Sequence, residues 1–332
     1  MQKAASRARS YRSLLVGFAV LIASPQASAV TIEWVTVGHP GNAPDTEVMS
    51  DGTTGYGSVA EVYRISKYET TNAQYAEFLN AKAASDPLGL YNTSMGSTGL
   101  PGVVWDGITR SGSPGSYSYS AIAGRENWPV NYVSFYDSLR FSNWLHNGQG
   151  SGDTETGAYT LLGGTPIPSN GSTVTRNAGA NIFLTSEDEW YKAAYFDGSS
   201  YFDHPAGTDA ELLPGYPGAT PNTGNLWPTS NYEITDVGSF TASASPYGTF
   251  DQGGNVWEWN EAIISPDRGL RGGGFDTSFG PYGAAAEYRI LGASPNFEEP
   301  FVGFRVATKV PEPTTGLLLG LGLLGVVVRR RV

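Results

Sequence analysis

Hydrophobic and polar positions along this chain come in short bursts, and three of the bursts carry a helical period. Tyr75, Phe78 and Leu79 fall at i, i+3 and i+4 behind Thr71 or Asn72, either of which can cap a helix. Phe141, Trp144 and Leu145 repeat the spacing behind Ser134. Trp190, Ala193 and Ala194 follow Ser186, and Glu189 three residues after that serine completes a capping box. Strands are expected over 32–37, 62–65 and 302–307, with a very short one around Leu270; the alternation through Val302, Phe304 and Val306 suits a strand with one buried face. Long polar stretches separate these elements, at 91–124, 146–177 and 197–224. They hold Trp105, Tyr117, Tyr119, Tyr201 and Tyr216, so ordered surface loops are expected rather than disorder. No repeat of fixed period and no internal linker is visible, which points to one domain rich in turns.

The two ends read as addresses rather than fold. Lys3, Arg7, Arg9 and Arg12 precede a short apolar run at 14–22, and Ala27-Ser28-Ala29 is the small-residue pattern cut by signal peptidase. Residues 1–29 are therefore expected to be a signal peptide, the run being too short for a membrane span. At the other end Pro311-Glu312-Pro313 leads into an uncharged apolar stretch at 317–328 and then Arg329-Arg330-Arg331. That order, over 310–332, resembles the PEP-CTERM sorting signal of exported bacterial proteins. The resemblance implies a transmembrane segment held transiently in the inner membrane, with the arginines cytoplasmic, and cleavage by an exosortase near the Pro-Glu-Pro. The expected destination is the cell surface or extracellular matrix.

Between these ends, residues 30–309 carry 13 basic and 30 acidic side chains, a net charge of −17. Such a surface repels nucleic acid and anionic lipid and tolerates divalent cations. The chain has no cysteine. That removes disulfides, thiolate nucleophiles and thiolate metal ligands together.

The order of motifs in the body is specific. Lys67-Tyr68-Glu69-Thr70-Thr71-Asn72 precedes the first helix, Pro129-Val130-Asn131-Tyr132-Val133-Ser134 the second and Leu184-Thr185-Ser186-Glu187-Asp188-Glu189-Trp190 forms the third. Then come Asp236-Val237-Gly238, Gly254-Asn255-Val256-Trp257-Glu258-Trp259, Arg271-Gly272-Gly273 and Gly303-Phe304-Arg305. The series, over 31–307, resembles the formylglycine-generating-enzyme (sulfatase-modifying factor) family, which also groups with ergothioneine-synthase-type and pyoverdine-maturation-type proteins. The resemblance implies an α+β fold, a C-type-lectin-like variant with much irregular backbone.

Formylglycine makers of that family use a pair of copper-binding cysteines just after the Arg-Gly-Gly motif. By alignment the two positions fall here at Thr277 and Tyr282, and neither side chain is a soft Cu(I) ligand. Formylglycine synthesis is therefore not expected. Nor is iron, since His39, His146 and His204 lie far apart in sequence. The resemblance also implies calcium sites. One would take the side chains of Asp251 and Glu258 with the carbonyls of Gly254 and Val256, and a second would start at Asn225 and Leu226, with further ligands near Asn231. Hard oxygens at an irregular turn suit Ca²⁺. The alternative for Glu258 is a buried pair with Arg271 or Arg305, because a lone buried carboxylate is costly. The expected function is an exported, calcium-stabilised binding or structural module, whose partner is an extracellular polysaccharide or an envelope protein. The alternative is a non-haem metal-dependent oxidoreductase of the same family; a third reading, carbohydrate binding, rests on fold analogy.

Overall fold

A computed structural model describes residues 29–97, 104–228, 233–276 and 280–310. In chain order its elements are β1 (Trp34–Val37), β2 (Tyr63–Ser66), α1 (Asn72–Lys82), β3 (Ile108–Ser111), β4 (Ser118–Ala121), α2 (Phe135–His146), β5 (Ile182–Leu184), α3 (Glu187–Tyr195), β6 (Leu213–Pro214), β7 (Thr223–Gly224), β8 (Trp257–Ile264), β9 (Asp267–Arg271), β10 (Val302–Phe304) and β11 (Val306–Lys309).

All three expected helices form, and each starts at its serine or threonine. The hydroxyls of Thr71, Ser134 and Ser186 accept from the backbone N–H of Gln74, Asp137 and Glu189. Those three side chains reach back to the cap N–H, so each helix has a complete capping box. Helix α2 is buried on nearly every side. Its Phe141 meets Tyr75 and Phe78 of α1 and Phe304 of β10, with ring centroids 5.3–6.0 Å apart. Each such side chain contributes about 1.5–3 kcal/mol of burial.

Two sheets carry the rest. The first runs β1-β2-β11-β5 and is antiparallel; the second runs β10-β8-β9, with β10 parallel to β8. The strand expected over 302–307 is in fact two. It leaves the second sheet after Phe304 and enters the first at Val306, with Arg305 at the crossing. The run around Leu270 is β9, paired with β8, a strand that the alternation does not announce.

The polar stretches are ordered by side chains that take the place of ladder hydrogen bonds. From α2, Asn143 donates to the carbonyls of Thr154 and Tyr159. Arg140 holds Glu155 at 2.7 Å and donates to the carbonyls of Thr165 and Pro166. In the 91–124 stretch the Arg110 guanidinium lies between the rings of Tyr91 and Tyr117, 4.7 and 4.4 Å from their centroids. Among the described residues no helix is long and apolar enough to cross a membrane. The expected signal peptide, apart from Ala29, and the C-terminal transmembrane segment after Val310 lie outside the described residues.

Candidate functional site

The Gly-Asn-Val-Trp-Glu-Trp run begins in a tight turn. Asp251, Gly254 and Asn255 all have positive φ, at 61°, 102° and 62°. A Cβ on Gly254 would stand 2.7 Å from the Asn225 carbonyl oxygen, so only glycine allows the two loops to touch. The Asn255 N–H donates to that carbonyl at 2.9 Å. The Asn225 amide donates to Asn255 Oδ1 and to the Glu233 carbonyl. Leu226 is buried beside Leu212 and Ala284, while Asn231 lies outside the described residues. The two candidate ion sites of the sequence are thus neighbours.

Glu258 is fully buried and meets Arg305. Arg305 Nε donates to Oε2 and Nη2 to Oε1, both at 2.6 Å, and Trp190 Nε1 donates to Oε2 at 2.7 Å. Arg305 also donates to the carbonyls of Phe250, Ser66 and Lys67. Of the two arginines left open by the sequence, Arg305 is therefore the partner. Arg271 goes to Glu187 at 2.9 Å, which Arg289 also holds.

A third carboxylate joins the cluster. Glu69, buried in the loop before α1, accepts from the Val256 N–H and from the Asn255 amide. Burial, reinforced by the charges of Asp251 and Glu258, pushes the Glu69 carboxyl well above the usual range. Burial lifts Asp251 to about 6, although the Gly238 N–H and Arg305 both favour its charged form. Three carboxylates thus lie within the electrostatic reach of one guanidinium, which is hydrogen-bonded to Glu258. Among the described residues no three His, Asp or Glu side chains converge as a metal cage. A cation here would have to draw on backbone carbonyls, as the set expected from the resemblance, Asp251, Gly254, Val256 and Glu258, would. Hard oxygens and surplus negative charge fit Ca²⁺ in kind, with Glu258 already held in the Arg305 fork.

The chain matches the sulfatase-modifying factor enzyme 1-like domain over residues 41–310. It belongs to the sulfatase-modifying factor family. The PEP-CTERM protein-sorting motif matches over 309–331, so this is an envelope protein exported and sorted to the cell surface, with an exosortase as its processing partner. No curated protein matches the chain. Among solved structures, the Treponema denticola variable protein 1 is 18% identical, covers 86% of this chain and 98% of its own, and superposes with a TM-score of 0.54. PvdO from Pseudomonas aeruginosa is 19% identical, covers 84% and 92%, and has a TM-score of 0.46. The shared fold is the formylglycine-generating-enzyme, C-type-lectin-like one.

The segment after Arg271 is the one in which the resemblance to formylglycine makers set the two cysteine positions, Thr277 and Tyr282. Of its two aligned cysteine positions, Thr277 lies outside the described residues. Tyr282 is half-exposed, its ring edge-on to Tyr288 at 4.9 Å. Just before it, burial pushes the Asp276 carboxyl up to about 7. The histidines stay apart. His39 Nδ1 meets the Tyr247 hydroxyl at 2.9 Å, His146 Nδ1 accepts from the Asn181 N–H, and burial lowers the pKa of His204. An open polar hollow of about 690 Å³ lies between His39, Asn42 and Asp45 on one side and Ser199, Ser200 and Tyr201 on the other. Sequence reasoning missed Glu69 and Trp190 as partners of the signature run. Both stand in motifs visible in the sequence, but nothing local says that they face Glu258.

Proposed function

We propose that the exported body is a calcium-stabilised binding or structural module of the cell envelope that has no formylglycine chemistry. The observation that carries this reading is the lock of Glu258 on Arg305 and Trp190. The family's signature carboxylate is turned into the interior and used as scaffold, in a chain without a single cysteine. Asp251, the carbonyls of Gly254 and Val256, and Glu258 would hold the ion. Its charge would offset the surplus carboxylates of the cluster. The hollow between His39 and Tyr201, open and polar, offers a surface for a partner.

Purified body, residues 30–309, tests the proposal in two ways. Calcium at millimolar concentration should raise the thermal midpoint and a chelator should lower it, with Asp251→Ala removing the difference. No shift with calcium would remove the ion from the reading. Copper-dependent oxidation of a cysteine peptide by the same protein would overturn the non-catalytic assignment.

A further inference from the structure

We infer that the α-amino group freed by signal-peptide removal at Ala29 is bound by the side-chain amide of Gln149, which forms a docking site for the mature amino terminus.

Val30 is the residue that follows Ala27-Ser28-Ala29. Both of its backbone polar groups are taken by one side chain. Val30 N donates to Gln149 Oε1 at 2.7 Å, and Gln149 Nε2 donates to the Val30 carbonyl at 2.9 Å. The clasp is preformed. Gln149 has φ +65° in the turn that ends α2, and its N–H donates to the Trp144 carbonyl at 2.8 Å. The Trp144 indole N–H donates to the next carbonyl, that of Gly150. A non-glycine residue in the left-handed region persists only where its surroundings hold it.

The tie continues along the chain. The Thr31 carbonyl accepts from Gln74 Nε2 at 3.0 Å, and Glu33 pairs with Lys67 at 2.6 Å. Gln74 is itself the capping-box residue of α1. Val30, Ile32 and Trp34 pack against the main core, whereas Ala29 is exposed. Chain ends fray unless they are tied down. Here the ties begin at the first residue after the expected cut, and a sequence motif and a structural clasp mark the same bond independently.

Cleavage adds water across the Ala29–Val30 amide. The C–N bond breaks, Ala29 departs as a carboxylate, and the Val30 nitrogen leaves as an amine and takes a proton. The single N–H offered to Gln149 becomes an ammonium, and the contact becomes charge-assisted. With Val30 N held in the clasp, peptidase must act before the clasp closes, so processing precedes docking. The docked end is then shielded from exopeptidases outside the cell.

The full chain, expressed in an exporting host, provides the test. The intact mass of the mature protein should place its first residue at Val30. A broad-specificity aminopeptidase should remove Val30 about tenfold faster from Gln149→Ala than from wild type. Gln149→Glu, whose carboxylate still accepts from the ammonium, should keep the protection. Acylation of the α-amine gives a measure that needs no variant: it should be slower in folded than in urea-unfolded wild type. A different first residue, equal trimming of wild type and Gln149→Ala, or equal acylation of the folded and unfolded protein would each overturn the inference.

Discussion

Replacing Arg305 should cost far more than replacing its partner Glu258, and the cluster shows why. Methionine at 305 keeps roughly the length of the side chain and removes every donor. Glu258 would keep only its bond from Trp190, at 2.7 Å. Glu69 and Asp251 would lose the cation that offsets them. The carbonyls of Phe250, Ser66 and Lys67 would also lose a donor. Breaking a buried pair from one side costs about 3–5 kcal/mol, a large part of the roughly 5–15 kcal/mol that holds a domain together. Glu258→Gln is milder. The amide oxygen still accepts from Trp190 or Arg305, and the guanidinium still faces two carboxylates, so the loss is about 1–3 kcal/mol. The two variants should therefore differ by about 2 kcal/mol. Urea unfolding in chelator, followed by tryptophan fluorescence, measures it, because Trp190 donates to Glu258 and Trp257 and Trp259 are buried on either side of it in β8. Equal losses, or a larger loss for Glu258→Gln, would refute the picture of three carboxylates within reach of one cation.

Lys192 is fully buried with its ammonium on the His39 carbonyl at 2.8 Å, and burial lowers its pKa to about 8. A folded pKa below the unfolded one gives stability that is present above about 10.5 and lost as pH falls through about 8. Wild type should therefore gain on Lys192→Met as pH rises across that window, and parallel pH profiles of the two urea midpoints would contradict this. Ser186→Ala removes the acceptor for the Glu189 N–H and should cost about 1 kcal/mol, read from the same unfolding curves; no measurable loss would count against the capping box. Gly57→Ala should be worse than Gly55→Ala. Both positions have positive φ, but a Cβ at 57 would stand 2.7 Å from Tyr201 and 2.9 Å from Tyr191, whereas at 55 it meets nothing within 4 Å. The expected losses are about 2–4 and 1–2 kcal/mol, and similar losses would show that the tyrosines move aside.

The helices were legible because everything that makes them is local: a hydroxyl at the cap, its return partner three residues on, and apolar residues one turn apart. Strand β8 was not, because Trp257, Glu258, Trp259 and Asn260 are all buried. A strand covered on both faces loses the alternation that identifies it. The run 302–307 shows the converse. Its alternation is real, but a period of two says nothing about which sheet a residue belongs to, so the crossing at Arg305 left no mark. The family resemblance supplied what period and capping could not, namely the overall arrangement of these elements.

The site shows where a one-dimensional reading stops. Glu258 lies opposite Arg271 in the β8–β9 ladder, and directly opposed residues are natural partners. Yet Arg271 is drawn away by Glu187, which α3 delivers from 84 residues earlier. On the other side Glu258 faces Gly303 of β10. Glycine offers no side chain, and a Cβ there would stand 2.6 Å from the Val130 carbonyl. Arg305, two residues on, reaches across instead. The choice between two arginines was thus made by a glutamate in a distant helix and by a glycine in the neighbouring strand. The charge balance has the same origin. The signature run shows two carboxylates, Asp251 and Glu258, and the third arrives only when Glu69 folds in from the loop before α1. Two carboxylates and one arginine would leave a single negative charge over. With three, the interior gains from a proton or a cation; burial raises the pKa values of Glu69 and Asp251, and the neighbouring carboxylates add to it.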